Sequence, residues 1–173
     1  MIYEPQEDSY LLEKHVKKLA KGKVLDMGTG SGILAKAAKG LNLEVLAVDI
    51  NPEAIAKCQE QGLEAIESDL FSNIKDKFDT IIFNPPYLPD AEGEPEDSKL
   101  ITTGGKYGHE LLERFLIESK GHLNENGIIL LVFSSHTGNM EKIFDEQKYD
   151  FTLLGQESHF FEKLLVYQIT LQK

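Results

Sequence analysis

The chain has 173 residues, 41% hydrophobic and 27% charged, the balance of a soluble globular protein read as one domain over residues 1–173. Its single cysteine, Cys58, excludes an internal disulfide and gives no basis for a Cys-based metal site, so no metal is expected and a reducing, cytoplasmic compartment is. A formal net charge of -11 disfavours DNA or RNA as substrate, because neutralising phosphates requires a basic surface.

The N-terminal Met1-Ile2-Tyr3-Glu4-Pro5 has no basic stretch followed by an apolar run, so no signal peptide is expected, and no apolar stretch approaches bilayer length. From Asp8 to Ala20, Leu11, Leu12, Val16 and Leu19 recur at helical spacing. His15 falls on that apolar face as a core-edge residue, while Lys14, Lys17, Lys18, Lys21 and Lys23 read as a solvated face rather than a nucleic-acid patch. Lys23 to Asp26 predicts a buried strand running into Gly28, Gly30 and Gly32, and Ser31 to Lys39 a helix stopped by Gly40. Leu43 to Asp49 predicts a second strand. Asn51-Pro52-Glu53 then starts a helix, with Asn as cap, Pro at the first position and an acid in the first turn, and the helix should stop near Gly62.

Leu63 to Glu67 and Phe78 to Phe83 predict the third and fourth strands, followed by a Pro-, Gly- and acid-rich stretch from Leu88 to Lys106. A connection that long is either a lid over the substrate or disordered. Glu110 to Leu123 predicts a helix that His109 precedes, and Arg114 on it suits a surface ion pair better than a substrate clamp. Ile128 to Ser134 is an apolar fifth strand, Asn139 to Gln147 a helix, and Phe151 to Gly155 with Leu164 to Leu171 a closing pair of strands. Strands alternating with helices predict an α/β fold with a parallel, doubly wound sheet ending in a hairpin.

Open α/β sheets bind ligands where strands end and loops begin. Four strand ends carry unusual residues. Asp26-Met27-Gly28-Thr29-Gly30-Ser31-Gly32 offers a backbone that turns sharply and exposes helix-start N–H groups; the bland alternative is a tight strand-to-helix turn. Asp49 ends the second strand roughly twenty residues on, where Rossmann-type folds place a carboxylate for ribose hydroxyls, unless it is merely solvated. Ser68-Asp69-Leu70 follows the third strand, either as an adenine contact or as a helix cap. Asn84-Pro85-Pro86-Tyr87 follows the fourth. The prolines fix a rigid turn, the Asn84 side-chain oxygen and a main-chain carbonyl make two close acceptors for an NH2 group, and Tyr87 adds a flat face.

Gly28-Thr29-Gly30-Ser31-Gly32, Asp49, Asp69 and Asn84-Pro85-Pro86-Tyr87 together resemble the class I methyltransferase pattern of the HemK-type amide methyltransferases. Tyr3-Glu4-Pro5-Gln6-Glu7-Asp8-Ser9 and the Thr103-Gly104-Gly105 to Gly108 segment are similar to the archaeal and eukaryotic HemK2 branch, whose members methylate the glutamine of the Gly-Gly-Gln motif in class 1 translation release factors. The resemblance implies a Rossmann-like, mostly parallel seven-stranded sheet with an antiparallel C-terminal hairpin strand and helices on both faces. It implies S-adenosylmethionine as cofactor, with Ser9, Asp26, Gly28, Gly30 and Ser31 around the glycine loop and the donor's methionine end. Asp49 and Ile50 would lie at the ribose, Asp69 and Leu70 at the adenine, and Asn84, within the catalytic Asn84-Pro85-Pro86-Tyr87 turn, at the substrate amide. It also implies a small zinc-binding activator subunit, which the edge strand at residues 63–67 could receive as an added strand, with only Glu64 and Glu67 as guards. The acidic run Asp90 to Asp97 matches nothing in that pattern.

On this reading Asn84 and the Pro85 carbonyl accept both N–H bonds of an amide, which a monomethylated amide could no longer supply, so transfer stops after one methyl. The same turn suits an adenine-N6 nucleic-acid methyltransferase, a lysine methyltransferase of basic proteins, or, without catalysis, an S-adenosylmethionine-binding regulatory module. The charge, the absence of a target-recognition domain and the intact turn favour the amide.

Overall fold

A computed structural model describes residues 2–87 and 103–173, so the acidic run Asp90 to Asp97 and most of the expected lid lie outside the described residues. Among the described residues seven strands form one sheet: β1 (Lys23–Met27), β2 (Glu44–Asp49), β3 (Glu64–Glu67), β4 (Phe78–Phe83), β5 (Leu123–Ser134), β6 (Tyr149–Ser158) and β7 (Lys163–Leu171). Their order is β3-β2-β1-β4-β5-β7-β6. The first five run parallel, and β7 lies antiparallel to both β5 and β6. Five helices accompany them: α1 (Glu7–Leu19), α2 (Ile33–Lys39), α3 (Pro52–Glu60), α4 (Glu110–Ser119) and α5 (Met140–Glu146).

Alternate side chains of each central strand feed two cores, as the two-residue period of a strand requires. Leu25, Ile81, Ile129 and Leu131 pack with Leu112, Phe115 and Leu116 of α4 and Phe144 of α5. Val24, Ile82, Leu130 and Val132 pack on the other face with Leu12 and Val16 of α1, Leu34 of α2 and Ile55 of α3. Helices therefore cover both faces. The strand order reverses at β1, which lies between β2 and β4, and such a reversal opens a crevice at the strands' C-terminal ends.

Local chemistry sets the helix ends. The Asn51 side chain accepts from Glu53 N at 3.0 Å ahead of Pro52, and Asn139 accepts from Lys142 N at 3.1 Å. Three elements depart from expectation. The fourth helix stops at Ser119 rather than reaching Leu123, and β5 starts at Leu123, five residues before Ile128. Phe78 N donates to the His122 carbonyl at 2.8 Å and Phe78 pairs with Leu123, so pairing with β4 captures a segment whose apolar spacing still reads as helix. The register then shifts before Thr80 pairs with Ile128, at the stretch where Asn126 takes a positive φ of 61°. β6 likewise runs from Tyr149 to Ser158 instead of Phe151 to Gly155, held by β7 along its whole length.

The lysine run disperses into surface pairs, Lys14 with Glu157 and Lys17 with Glu13, while Lys23 meets Glu44 and Asp76. His15 is half-buried against β6, where a Cβ on Gly155 would come 2.9 Å from its ring. No helix among the described residues is long and apolar enough to cross a membrane.

Candidate functional site

A cleft of about 1000 Å³ opens at the C-terminal ends of β1, β2, β3 and β4. Its floor is the glycine loop. Gly28 adopts φ +61°, which strains any L side chain, and a Cβ there would press on the Phe83 ring at 3.2 Å. Thr29 N donates to the Val48 carbonyl at 2.9 Å, and Gly30 N donates to Asp49 Oδ2 at 2.9 Å, which ties the loop to the end of β2.

Asp26 was expected among the cofactor contacts, but the structure places it behind the loop. It is fully buried and does not line the cleft. Its Oδ2 accepts from Thr29 Oγ1 at 2.7 Å and from Ala35 N at 3.0 Å, so it braces the loop from beneath. Its Oδ1 has no hydrogen-bond partner among the described residues. Burial pushes the carboxyl up to about 7, against the lowering effect of those two bonds.

Asp49 stands on the cleft wall. Its oxygens accept from Gly30 N and from Asn51 N, each at 2.9 Å, and the Ile50 N–H also bonds the carboxylate. Burial raises its pKa. Ile50 is exposed beside it and lines the same wall. After β3 no helix forms, so Asp69 is not a cap. The Ser68 hydroxyl donates to the Leu70 carbonyl at 2.8 Å and accepts from Asn73 N at 3.0 Å, holding Leu70 in a left-handed conformation of φ 45°. Asp69 forms an ion pair with Arg114, which also bonds Glu118 at 3.0 Å. Arg114 is thus an ion-pair residue, as expected, but its partner is the carboxylate expected at the adenine.

The acceptor turn is joined to the N-terminal segment. Asn84 Nδ2 donates to Ser9 Oγ at 3.2 Å, and Ser9 Oγ donates to Asp8 Oδ1 at 3.2 Å. Asp8 Oδ1 also accepts from Ser9 N at 2.6 Å, and its carboxylate takes the hydroxyls of Tyr3 at 2.9 Å and Tyr87 at 3.0 Å. Burial and the nearby carboxylate push both tyrosine pKa values upward, which keeps their hydroxyls protonated as donors. The chain of donors has one direction. With Tyr3, Tyr87 and Ser9 N all donating to it, the Asp8 carboxyl serves as acceptor, so the Ser9 proton points to Asp8, the Ser9 oxygen receives Asn84 Nδ2, and Asn84 Oδ1 is left as the open acceptor. That oxygen is buried and has no partner among the described residues. On the far side, Thr137 Oγ1 donates to the Tyr87 carbonyl at 3.1 Å, and a Cβ on Gly104 would lie 2.7 Å from the Pro86 carbonyl.

Ser9, Gly28, Gly30, Ser31, Asp49, Ile50, Asp69, Leu70, Asn84, Pro85, Pro86 and Tyr87 therefore line one cleft, and Asp26 alone of the expected residues does not. Asp8, Tyr3, Thr29 and Glu162 were not anticipated as site residues. Asp8 had a legible signal, since it sits four residues before Leu12 on the buried stripe of α1, where an unpaired carboxylate would be costly.

The chain matches the family model described as Methyltransferase small domain over residues 5–161. It is 43% identical over 152 aligned residues to a candidate protein N5-glutamine methyltransferase of Methanocaldococcus jannaschii, covering 82% of this chain and 77% of that one. It is 30% identical over 167 residues to Methyltransferase HEMK2 of Mus musculus, covering 85% and 78%. Among solved structures, the E. cuniculi Mtq2-Trm112 complex, described as responsible for methylation of the eRF1 translation termination factor, superposes with a TM-score of 0.79 at 25% identity over 99% of both chains.

Proposed function

The chain belongs to the methyltransferase small domain family, and from that membership we propose that it transfers a methyl group from S-adenosylmethionine to the side-chain amide of the glutamine in the Gly-Gly-Gln motif of a class 1 translation release factor. The observation that carries this reading is the open Asn84 Oδ1, buried in the cleft and oriented as an acceptor by Ser9 and Asp8. The names of the M. jannaschii, mouse and E. cuniculi relatives support it.

The cleft residues fit the donor. Gly28 leaves the loop surface free of a side chain for a close-lying ligand, Asp49 turns its carboxylate to the cleft for ribose hydroxyls, and Leu70 offers an apolar contact at the far end. Asp69 would receive an amino group on the oxygen that Arg114 leaves open. When bound, the donor supplies an electrophilic methyl on sulfur. The protein's own part is alignment, and positioning of this kind is worth roughly 7–11 kcal/mol of the barrier. Asn84 Oδ1 and the Pro85 carbonyl would accept the two amide N–H bonds, increasing electron density on nitrogen and turning its lone pair toward the methyl. Both acceptors stabilise the positive charge that grows on nitrogen, and the proton leaves to solvent after transfer.

A small zinc-binding activator subunit would dock at the β3 edge as an added strand; the relative solved as a complex with Trm112 supports the existence of such a partner. A substrate that works in translation would be met in the cytoplasm, and residues 1–173 would act there as one catalytic domain.

The test is incubation of the chain, with and without a Trm112-type subunit, with radiolabelled S-adenosylmethionine. The acceptors are a class 1 release factor, its variant with the motif glutamine changed to asparagine, and DNA. Label in the unaltered factor alone is the expected result. Label in both forms moves the site elsewhere in that protein, and label in DNA replaces the amide reading with the adenine one.

A further inference from the structure

The turn between β6 and β7 carries two adjacent phenylalanines that pack on little but each other among the described residues. Phe160 is 100% exposed and Phe161 89% exposed. Their rings lie 6.2 Å apart and tilted, so each touches little beyond the other. Turn chemistry does not ask for them. The connection is closed by His159 N donating to the Glu162 carbonyl at 2.8 Å, and neither phenylalanine adopts a positive φ. Gly, Asn, Asp and Pro are the residues such connections favour. A phenylalanine has about 150–250 Å² to bury, of which this tip buries almost none against the described residues.

The tip is nevertheless held firmly, and what holds it leads to the acceptor turn. Ser134 Oγ donates to Glu162 Oε2 at 2.6 Å, His136 Nε2 donates to the Phe161 carbonyl at 2.6 Å, and Ser135 N donates to the Lys163 carbonyl at 2.8 Å. Thr137, the next residue of that loop, donates to the Tyr87 carbonyl. Glu162 itself lines the cleft. The exposed pair thus stands at the rim on the side of the acceptor turn, joined to it through four consecutive residues. A donor that fits within the cleft has no use for an apolar rim outside it, whereas a macromolecular acceptor must pass that rim to bring its amide to Asn84.

We propose that Phe160 and Phe161 dock the protein that carries the acceptor amide, inserting as an aromatic anchor into an apolar patch beside the acceptor residue. The inference rests on the amide-transfer reading above and names the surface that selects its macromolecular substrate. Aromatic anchors of this type commonly dominate an interface, and the change would fall on substrate capture rather than on the transfer step.

Steady-state transfer into a class 1 release factor, with the activator present, is measured for the unaltered chain, for F160S/F161S and for F160L/F161L. The serine pair is expected to raise KM for the release factor tenfold or more, with kcat at saturation and the Kd for S-adenosylmethionine unchanged. The leucine pair should recover most of the loss. An unchanged KM in the serine pair overturns the proposal, as does a fall in kcat alone. Weakened activator binding in place of a KM change overturns it too and assigns the tip to the activator. If the unaltered chain transfers nothing to the release factor, the amide reading fails and this proposal with it.

Discussion

The two ends of the Asn84 amide meet unlike neighbours, and that asymmetry makes the residue an acceptor. Nδ2 is committed to Ser9 Oγ, and Oδ1 is open. Asn84→Ala should lower kcat by about 10²–10³, the usual cost of removing one preorganised contact to developing charge, with the Kd for the donor within a few-fold by calorimetry. Equal loss of both would make Asn84 a structural residue. Ser9→Ala tests the orientation itself. Without the Ser9 oxygen the amide can turn its NH2 toward the substrate, so kcat should fall about tenfold, a loss of about 1.4 kcal/mol that is typical for one hydrogen bond. Ser9→Thr, which keeps the hydroxyl, should retain most of the rate.

Among the elements, the β3 edge is guarded in a way its own residues did not reveal. The outward Ala65 carbonyl accepts from Gln59 Nε2 at 3.0 Å, and the Glu67 carbonyl from Asn73 Nδ2 at 2.9 Å. A strand added there must displace both amides, so removing them should help it. Gln59→Ala combined with Asn73→Ala is expected to tighten the Kd for a Trm112-type subunit a few-fold by calorimetry; an unchanged Kd means docking without main-chain pairing. Most elements were legible because their cause is local: β4 ends on the apolar Ile81-Ile82-Phe83, and α3 opens on its Asn-Pro-Glu start. The start of β5 was not legible, because Leu123 continues the apolar spacing of α4 and only its pairing with Phe78 makes it a strand. The polar end of β6, Gln156-Glu157-Ser158, is strand for the same reason, since β7 supplies its partners. In the site, rare residue types at strand ends were legible, and burial was not. Nothing in Asp26-Met27-Gly28 says which way the carboxylate faces, and the pairing of Asp69 with Arg114 joins residues far apart in the chain.

For the molecule as a whole, the carboxylate beneath the glycine loop couples stability to pH. Asp26 has a folded pKa of about 7 against an ordinary value of 3.8, because burial outweighs its bonds from Thr29 and Ala35 and the nearby Asp49 adds to the rise. Between those two values the folded protein holds a proton that the unfolded chain releases. Unfolding therefore becomes easier as pH climbs from about 3.8 to about 7, by up to about 1.4 kcal/mol per pH unit through this group, and the effect is level above that window. Asp79 works in the opposite sense. Bonds from Lys23 N and Asn124 hold its pKa down, so its contribution is present at neutral pH and lost as pH falls. The sum of such groups hides Asp26 in the unaltered protein, but a substitution isolates it. Asp26→Asn keeps a carbonyl to accept from Thr29 and Ala35 and has no charge to desolvate. Melting followed by calorimetry from pH 5 to 8 should show the Tm of the variant gaining on that of the unaltered chain by about 5 °C between pH 5 and 7, then running parallel above. Parallel curves throughout would mean that Asp26 is ionised in the folded protein across the range. The gain would also locate the cost of the site: a loop that must stay open to a ligand in front is braced from behind by a carboxylate that the fold would be more stable without.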